Sequence, residues 1–121
     1  MKVLIVEDHQ PMRNLIRSVV NDLAEGISEC GDGSEVVATY TSQKLTSDDC
    51  VLMDLEMPQV DGLEATRRLK TAYPDARVII VTQFSDSHLR VAASQAGACG
   101  YVVKENLLQL RELISNLKRV K

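Results

Sequence analysis

The feature that most constrains this fold is the alternation of short apolar runs with segments of helical period. Two runs, residues 3–6 and 78–81, are rich in β-branched residues and have no polar alternation. Such runs are typical of central parallel strands that are covered on both faces. Residues 27–30, 51–53 and 100–103 are weaker strand candidates. Five strands that alternate with five helices predict an α/β domain with a parallel sheet.

Apolar residues three and four positions apart mark the helices between these strands. The first helical face runs from Met12 to Leu23, with Pro11 in its first turn and Gly26 as its predicted stop. The later helices are indicated by residues 36–40, by 63–73 ending before Pro74, by 89–96 ending at Gly97, and by 107–117. The order of elements is therefore predicted to be βα repeated five times.

The length and charge of the chain narrow the functional classes. A chain of 121 residues has the usual size of one domain, and no linker or repeat divides it, so residues 1–121 are predicted to form a single domain. The net charge of −3 offers no general basic surface for nucleic acid or an anionic membrane. The apolar runs are too short for a signal peptide or a membrane span. Any contact with DNA would need another domain.

The three cysteines favour a reducing compartment. Cys30, Cys50 and Cys99 are odd in number and far apart, which argues against both a disulfide framework and a zinc site. We therefore expect three buried thiols. A cytoplasmic location follows from this expectation and from the lack of a signal peptide.

Polar side chains stand where four of the predicted strands end. The first strand is followed by Glu7 and Asp8, the third by Asp54 and the fifth by Lys104, while the fourth ends in Thr82. In open parallel sheets ligands bind beyond these carboxyl ends. Three carboxylates in one place need a counter-ion, and a hard cation with oxygen ligands such as Mg²⁺ supplies it. The set predicts a site for phosphate chemistry.

Each of these residues also has an ordinary structural interpretation. The acid pair could have no role beyond stabilising the N-terminus of a helix. Likewise, Thr82 could simply be the last residue of a strand, and Lys104 could be a surface lysine. Asp54 could cap a loop. Their joint appearance at four strand ends of one short domain favours the functional interpretation.

The segment Asp-Leu-Glu-Met-Pro at 54–58, followed by Asp-Gly at 61–62, is similar to the phosphoacceptor loop of bacterial response-regulator receiver domains. The likeness continues through the acid pair at 7–8, the strand at 78–82, the Ala-Gly-Ala turn at 96–98 and residues 101–104. It therefore covers the whole chain. It implies a flavodoxin-like (βα)5 fold, with sheet order 2-1-3-4-5 and helices on both faces.

The resemblance also implies a role for each site residue. Asp54 would accept a phosphoryl group from a sensor histidine kinase. Mg²⁺ would be held directly by Asp8, Asp54 and the backbone carbonyl of Glu56, and by Glu7 mainly through water. Thr82 and Lys104 would contact phosphoryl oxygens. These contacts would stabilise the charge of the transferred group.

The family's conformational switch would use Thr82 and Tyr101, whose hydroxyl and ring move together on phosphorylation. Glu56 and Phe84 flank the expected route of the hydrolytic water, and we expect Phe84 to shield the acyl phosphate. On this interpretation the chain is a signalling domain that catalyses its own phosphorylation and dephosphorylation. It is not otherwise an enzyme.

The output is less well specified by the sequence. Glu105 replaces a proline common in receivers, which suggests the subfamily that precedes a helix-turn-helix domain. The last residues, 104–121, hold five basic and two acidic side chains and end without a helix stop signal, which favours a chain truncated from a longer regulator. We therefore expect control of transcription, with DNA bound only through an effector domain outside this chain, and a homodimer on phosphorylation.

Three alternatives remain open at this stage. The chain could be a stand-alone receiver, or a pseudo-receiver that acts only through protein–protein contacts. More remotely, the acids Asp54 and Glu56 resemble the nucleophile loop of aspartyl-phosphate hydrolases. No cap for a substrate is evident in so short a chain.

Overall fold

The computed structural model describes residues 1–119. Val120 and Lys121, on which part of the expectation of a truncated chain rested, lie outside the described residues. The elements are β1 (Lys2–Val6), α1 (Gln10–Val20), β2 (Gly26–Cys30), α2 (Val36–Ser42), β3 (Cys50–Met53), α3 (Gly62–Ala72), β4 (Val78–Thr82), α4 (Ser87–Ala96), β5 (Gly100–Val103) and α5 (Gln109–Arg119). The predicted five-fold βα alternation is confirmed.

The five strands are parallel and lie in the order β2-β1-β3-β4-β5. This is the flavodoxin-like order that was predicted. The strands β1, β3 and β4 are central, and their side chains are buried apart from the partly exposed Lys2. Their apolar character therefore reflects burial on both faces of the sheet, as expected for parallel strands.

Each face of the sheet has its own core. One face packs residues of α2, α3 and α4 against alternate strand residues such as Leu4, Met53 and Ile80. The opposite face packs α1 and α5 against Ile5 and Leu52, among others. Both faces are therefore closed by helices, so the polar side chains that follow the central strands β1, β3 and β4 reach solvent at the edge where these strands end.

Several helix boundaries differ from the predicted ones by a few residues, and two of them, the end of α1 and the start of α5, have a common physical reason. The structure ends α1 at Val20 and continues with a 3₁₀ turn, Asn21–Leu23, and Gly26 is the first residue of β2. Leu107 precedes α5, although it packs in the same core as the helix. In both places the apolar spacing reports which residues face the core, and a turn of 3₁₀ type can maintain that spacing beyond the α-helix.

The thiols also differ in part from expectation. All three cysteines are free, and Cys30 and Cys50 are buried, but Cys99 is exposed. Cys99 directly precedes the edge strand β5, which has a neighbour on one side only. Within the described residues no helix is long and apolar enough to cross a membrane.

Candidate functional site

The register of the sheet brings Glu7 beside Asp54. Val6 pairs with Met53 at the ends of β1 and β3, and the amide of Asp54 donates to the carbonyl oxygen of Val6 at 3.0 Å. Glu7 is the residue that follows Val6, so it leaves the sheet beside Asp54. Lys104 follows β5, whose last residue pairs with the end of β4.

Lys104 joins the two carboxylates. Its Nζ lies 2.8 Å from Oε1 of Glu7 and 3.3 Å from Oδ2 of Asp54. The other oxygens accept backbone amides, because Glu7 Oε2 takes the N–H of His9 at 3.1 Å and Asp54 Oδ1 takes that of Leu55 at 2.8 Å. Glu7 is only 1% exposed and Asp54 5%. The cluster therefore holds two buried carboxylates against one ammonium group.

Burial and neighbouring charges shift the pKa values of Asp54 and Lys104 in this cluster. Burial, and then the charge of Glu7, raise the pKa of Asp54 to about 6 despite the opposing effect of Lys104. Burial alone would lower the pKa of Lys104, but its hydrogen bond to Glu7 and the charge of Asp54 raise it. The lysine therefore stays charged, and Asp54 ionises at a higher pH than an ordinary aspartate.

The same cluster presents a set of oxygen donors. Glu7, Asp8 and Asp54 each offer a carboxylate oxygen, and the three atoms lie within 4.8 Å of one another. Asp8 is exposed, so the set opens to solvent on one side. All donors are hard oxygens with net negative charge, which suits a cation such as Mg²⁺ that retains several water ligands. The residues present therefore fit the ion.

The loop that follows Asp54 is held by close backbone contacts. The amide of Gly62 donates to the carbonyl oxygen of Leu55 at 2.9 Å. A Cβ at Gly62 would overlap the carbonyl group of Asp54, so only glycine fits there. Asp61 then caps α3 by accepting the amide of Glu64 at 2.9 Å. The Asp-Gly pair thus both closes the loop and begins the helix.

The pocket above Asp54, called the acidic pocket below, is lined both by Glu56, which was expected there, and by residues without an expected role in the site. Its walls include His9, Met12, Glu56 and Gln83. The side-chain amide of Gln83 donates to Oε1 of Glu56 at 2.9 Å, so these two side chains bridge β4 and the loop after β3. The signal for Gln83 was its position directly after Thr82 at a strand end.

Thr82 and Tyr101 are connected through the backbone of Phe84. Thr82 is fully buried, and its Oγ1 accepts the backbone N–H of Phe84 at 3.4 Å. The hydroxyl of Tyr101 donates to the carbonyl oxygen of the same residue at 2.8 Å. The guanidinium carbon of Arg90 lies 4.6 Å from the centre of the Tyr101 ring. The acidic pocket is lined by neither Thr82 nor Tyr101.

Phe84, the expected shield over Asp54, does not line the acidic pocket. Phe84 lines a groove together with Leu55, Leu63 and Leu89, and Gln83 rather than Phe84 lines the acidic pocket. The two grooves adjoin, since Glu56 and Met57 line both. The backbone turns between Gln83 and Phe84, so an offset of one position moves a side chain into the next groove. The expectation that Phe84 covers the acyl phosphate therefore stays a prediction, and Gln83 is a second candidate for that role.

The comparison with protein families agrees with this geometry. The model of the response regulator receiver domain matches residues 3–118. The chain belongs to the receiver domain family. The likeness proposed from residues 54–58 and the surrounding strand ends is confirmed by a match over almost the full length.

Several curated relatives of this receiver domain are transcriptional or response regulators. The chain is 35% identical to the response regulator UvrY of Escherichia coli K12, covering 98% of the chain and 53% of that protein. It is 34% identical to the response regulator GacA of Pseudomonas aeruginosa, covering 98% and 54% respectively. The chain therefore spans about half the length of the curated relatives it matches.

Solved structures show the same fold. The response regulator TrrA of Thermotoga maritima, determined in complex with Mg²⁺-BeF, superposes with a TM-score of 0.82 at 30% identity, covering 96% of this chain and 97% of that one. A LuxR-family response regulator from Aurantimonas has a TM-score of 0.81 at 28% identity, with coverages of 95% and 85%. The order 2-1-3-4-5 is thus shared with a receiver family.

Proposed function

We propose that this receiver domain accepts a phosphoryl group on Asp54 from a sensor histidine kinase and changes conformation to control an output. The observation that carries the proposal is the carboxylate of Asp54, which stands among Glu7, Asp8 and Lys104 at the floor of an open pocket. Such a site combines a nucleophile with the charges that phosphoryl transfer needs.

In the proposed step a carboxylate oxygen of Asp54 attacks the phosphorus atom of a phosphohistidine. A P–O bond forms, the P–N bond breaks, and the imidazole leaves with its electron pair and takes up a proton. In a separate hydrolytic step, water attacks the phosphorus atom, a P–O bond to the water oxygen forms, and the P–O bond to Asp54 breaks. That step returns the carboxylate and inorganic phosphate, and both steps take place in the same pocket.

The protein's own residues supply most of the charge control. Asp8, Asp54 and the backbone carbonyl of Glu56 would hold Mg²⁺ directly, and Glu7 would hold it mainly through water. When bound, the ion reduces the repulsion between an anionic nucleophile and an anionic phosphoryl group. Lys104 Nζ already lies 3.3 Å from Oδ2 of Asp54, within reach of a phosphoryl oxygen on that carboxylate.

The proposed switch joins Thr82 to Tyr101. The Thr82 hydroxyl would turn toward a phosphoryl oxygen and release its contact with the amide of Phe84, the residue whose carbonyl oxygen accepts the Tyr101 hydroxyl. A shift from 1:99 to 99:1 needs about 5.5 kcal/mol, and one charged hydrogen bond contributes about 1.5 to 3 kcal/mol. Lys104, the metal and the packing of Tyr101 must therefore act together.

The output proposed here is transcription. The relatives named as response or transcriptional regulators support it, and so does the length of chain in those relatives beyond the part matched here. DNA would be bound only through an effector domain, and phosphorylation would favour a homodimer. The proposal keeps the domain, residues 1–121, in the cytoplasm, in line with its three free thiols.

Incubation with acetyl phosphate and MgCl₂ tests the proposal. Intact-mass spectrometry should show the addition of one phosphoryl group to the wild type, and Asp54→Asn should lose it. Asp61→Asn is the matched control, because Asp61 lies in the same loop but its carboxylate caps α3. This variant keeps an oxygen acceptor at the cap and should be phosphorylated like the wild type.

Two results would replace the proposal by an alternative. No phosphoryl uptake by the wild type, with either acetyl phosphate or a phosphorylated kinase, would indicate a pseudo-receiver that acts by protein contacts alone. Repeated turnover of a phosphomonoester such as p-nitrophenyl phosphate would indicate an aspartyl-phosphate hydrolase.

A further inference from the structure

Asp32, which neither the sequence motifs nor the proposed chemistry uses, is a buried carboxylate in the loop between β2 and α2. It is 7% exposed and accepts three backbone N–H groups. Oδ2 accepts those of Ser34 at 2.8 Å and Val60 at 3.2 Å, and Oδ1 accepts that of Gln59 at 2.9 Å. The first donor belongs to the same loop, but the other two belong to the loop that follows Asp54.

The loop after β2 packs closely against the loop after β3 at Gly33. A Cβ at Gly33 would overlap the carbonyl oxygen of Val60 and would lie 2.9 Å from the Cβ of Ala65 at the start of α3. A side chain at Gly33 would therefore push the two loops apart. The absence of one at this position lets the carboxylate of Asp32 reach the amides across the gap.

The hydrogen bonds from Gln59 and Val60 to Asp32 hold one side of a loop whose residues line the acidic pocket. The hydrogen bond from Gly62 to Leu55 closes the base of the loop, and Asp32 holds its far side at Gln59 and Val60. Residues 56–58 lie between these anchors and line the acidic pocket. They include Glu56, whose backbone carbonyl is the proposed metal ligand.

We propose that Asp32 is a positioning residue, which places the backbone of residues 56–58 so that the carbonyl of Glu56 completes the cation site. This inference rests on the proposed function, since it concerns the same site. Donors and second-sphere groups that orient metal ligands commonly change metal affinity by about 10- to 100-fold when removed. Asp32 acts on the backbone of the ligand's loop and touches neither the ion nor the phosphoryl group.

The charge of Asp32 suits this role. Burial alone would raise its pKa, but the amides of Gln59, Ser34 and Val60 outweigh burial and lower the pKa to about 2. The residue is therefore ionised at neutral pH and offers both oxygens as acceptors. An asparagine keeps one oxygen and would direct an NH₂ group at backbone donors, so it can replace only part of the contact.

The chain offers a matched control in Asp49, a second buried aspartate. It accepts the amides of Lys2 at 2.7 Å and Thr46 at 2.8 Å, but it lies at the opposite edge of the sheet, before β3. Both Asp32→Ala and Asp49→Ala remove a buried acceptor from backbone donors, and both should lower the free energy of unfolding. Only Asp32→Ala should affect the site.

The experiment measures Mg²⁺ binding by calorimetry and amide hydrogen exchange by NMR on the full chain. We expect Asp32→Ala to raise the Kd for Mg²⁺ about tenfold relative to the wild type, with Asp32→Asn intermediate and Asp49→Ala within twofold. The amides of Gln59 and Val60 should lose protection in Asp32→Ala and keep it in Asp49→Ala. The rate of phosphorylation by acetyl phosphate should recover as Mg²⁺ is raised.

Equal Mg²⁺ affinity and equal protection of the two amides in Asp32→Ala and Asp49→Ala would overturn the positioning role. A rate in Asp32→Ala that does not recover at high Mg²⁺ would also count against it, because the defect would not be in metal binding. If the wild type binds Mg²⁺ but takes up no phosphoryl group, the proposed function fails while the effect of Asp32 on the loop stands. The two failures are therefore distinguishable.

Discussion

A buried carboxylate at the amino edge of the sheet, where the strands begin, has different partners from the cluster of Glu7, Asp54 and Lys104 at the carboxyl edge, where the strands end. At the amino edge, Asp49 accepts two backbone amides within 2.8 Å, from Lys2 and Thr46. At the carboxyl edge, Glu7 and Asp54 share one lysine, and the pKa of Asp54 is raised to about 6. The protein's own backbone thus supplies hydrogen-bond donors to the buried carboxylate at the amino edge. The cluster at the carboxyl edge is left with an excess of negative charge, although Asp32 at the same edge receives three backbone amides.

This difference separates what stabilises the fold from what prepares the site. A carboxylate that receives two or three backbone donors fixes loops to strands and needs no further partner. A cluster of carboxylates with one ammonium group is less stable than a neutral core would be, and sites of this kind often sacrifice stability for function. The variants below test the difference in order of expected effect.

The largest effect should come from Lys104→Ala. It leaves Glu7 and Asp54 buried without their cation, so we expect a loss of about 2 to 3 kcal/mol in the free energy of unfolding at pH 7. This is less than the 3 to 5 kcal/mol of a fully buried pair, because the lysine side chain is 15% exposed. Chemical denaturation without Mg²⁺ measures the loss, and saturating Mg²⁺ should reduce it.

A lysine near the amino edge supplies the control for this variant. Lys70 Nζ donates to the neutral carbonyl oxygen of Ala76 at 2.8 Å. Lys70→Ala should cost about 1 kcal/mol, and Mg²⁺ should not change that cost. Equal losses for the two lysine variants, with equal responses to Mg²⁺, would show that the edges do not differ as described.

The next effect concerns pH. The pKa of Asp54 is higher in the folded state than its ordinary value, so the stability linked to this group is present below the ordinary pKa and lost as pH rises through about 6. Asp54→Asn should therefore gain about 1 kcal/mol relative to the wild type at pH 7, after allowance for solvent screening, and little at pH 4. Urea denaturation of both proteins without Mg²⁺, from pH 4 to 7, measures the difference.

The opposite change in the free energy of unfolding is expected at Asp49, where the backbone supplies the hydrogen-bond donors. Asp49→Asn should lower the free energy of unfolding at pH 7, since an amide NH₂ would face a backbone N–H. If both aspartate-to-asparagine changes destabilise the protein at pH 7, the carboxyl edge is not strained by its charge.

The sequence was a good guide to the fold and to the members of the acidic cluster. The strand order was implied by the resemblance to receiver domains. The alternation of strands and helices and the placement of Glu7, Asp54 and Lys104 at one edge follow from runs of buried residues and from the parallel arrangement. These features depend on periodicity, which short segments already display. Helix boundaries were less well predicted, as at Gly26, because 3₁₀ turns extend the same apolar spacing.

The contacts between loops could not be predicted from the sequence. Asp32 and Gln59 are 27 residues apart, and their hydrogen bond depends on how two loops pack. The same limit explains Phe84, whose direction depends on one turn of backbone beyond β4. Gln83 and Glu56 are likewise distant in sequence and meet only after the sheet has formed.

A smaller effect is expected for Tyr101→Phe. It removes the hydroxyl that donates to the carbonyl oxygen of Phe84 and keeps the ring beside Arg90. The stability should fall by about 0.5 to 1 kcal/mol. The matched control is Tyr73→Phe, whose hydroxyl lies 2.6 Å from that of Thr41, away from the site. Only Tyr101→Phe should alter the NMR shifts that phosphorylation causes in α4 and β5.

The smallest effect should appear in the lifetime of the phosphorylated protein. Gln83 donates to Glu56 across the mouth of the pocket, in an exposed position. We expect Gln83→Ala to open the path of the attacking water and to raise the dephosphorylation rate about twofold, as a loss of about 0.5 kcal/mol implies. Loss of radiolabelled phosphate after removal of acetyl phosphate measures the rate.

Phe84→Ala separates this explanation from the one that the sequence suggested. Phe84 lies in the neighbouring groove beside Leu63 and Leu89, so its removal should leave the dephosphorylation rate within experimental error of the wild type. A faster rate in Phe84→Ala together with an unchanged rate in Gln83→Ala would restore the aromatic ring as the shield. Gln83 and Phe84 are adjacent in the sequence. The two variants therefore test which of these side chains the turn after β4 directs toward the acidic pocket, as well as which one limits the access of water.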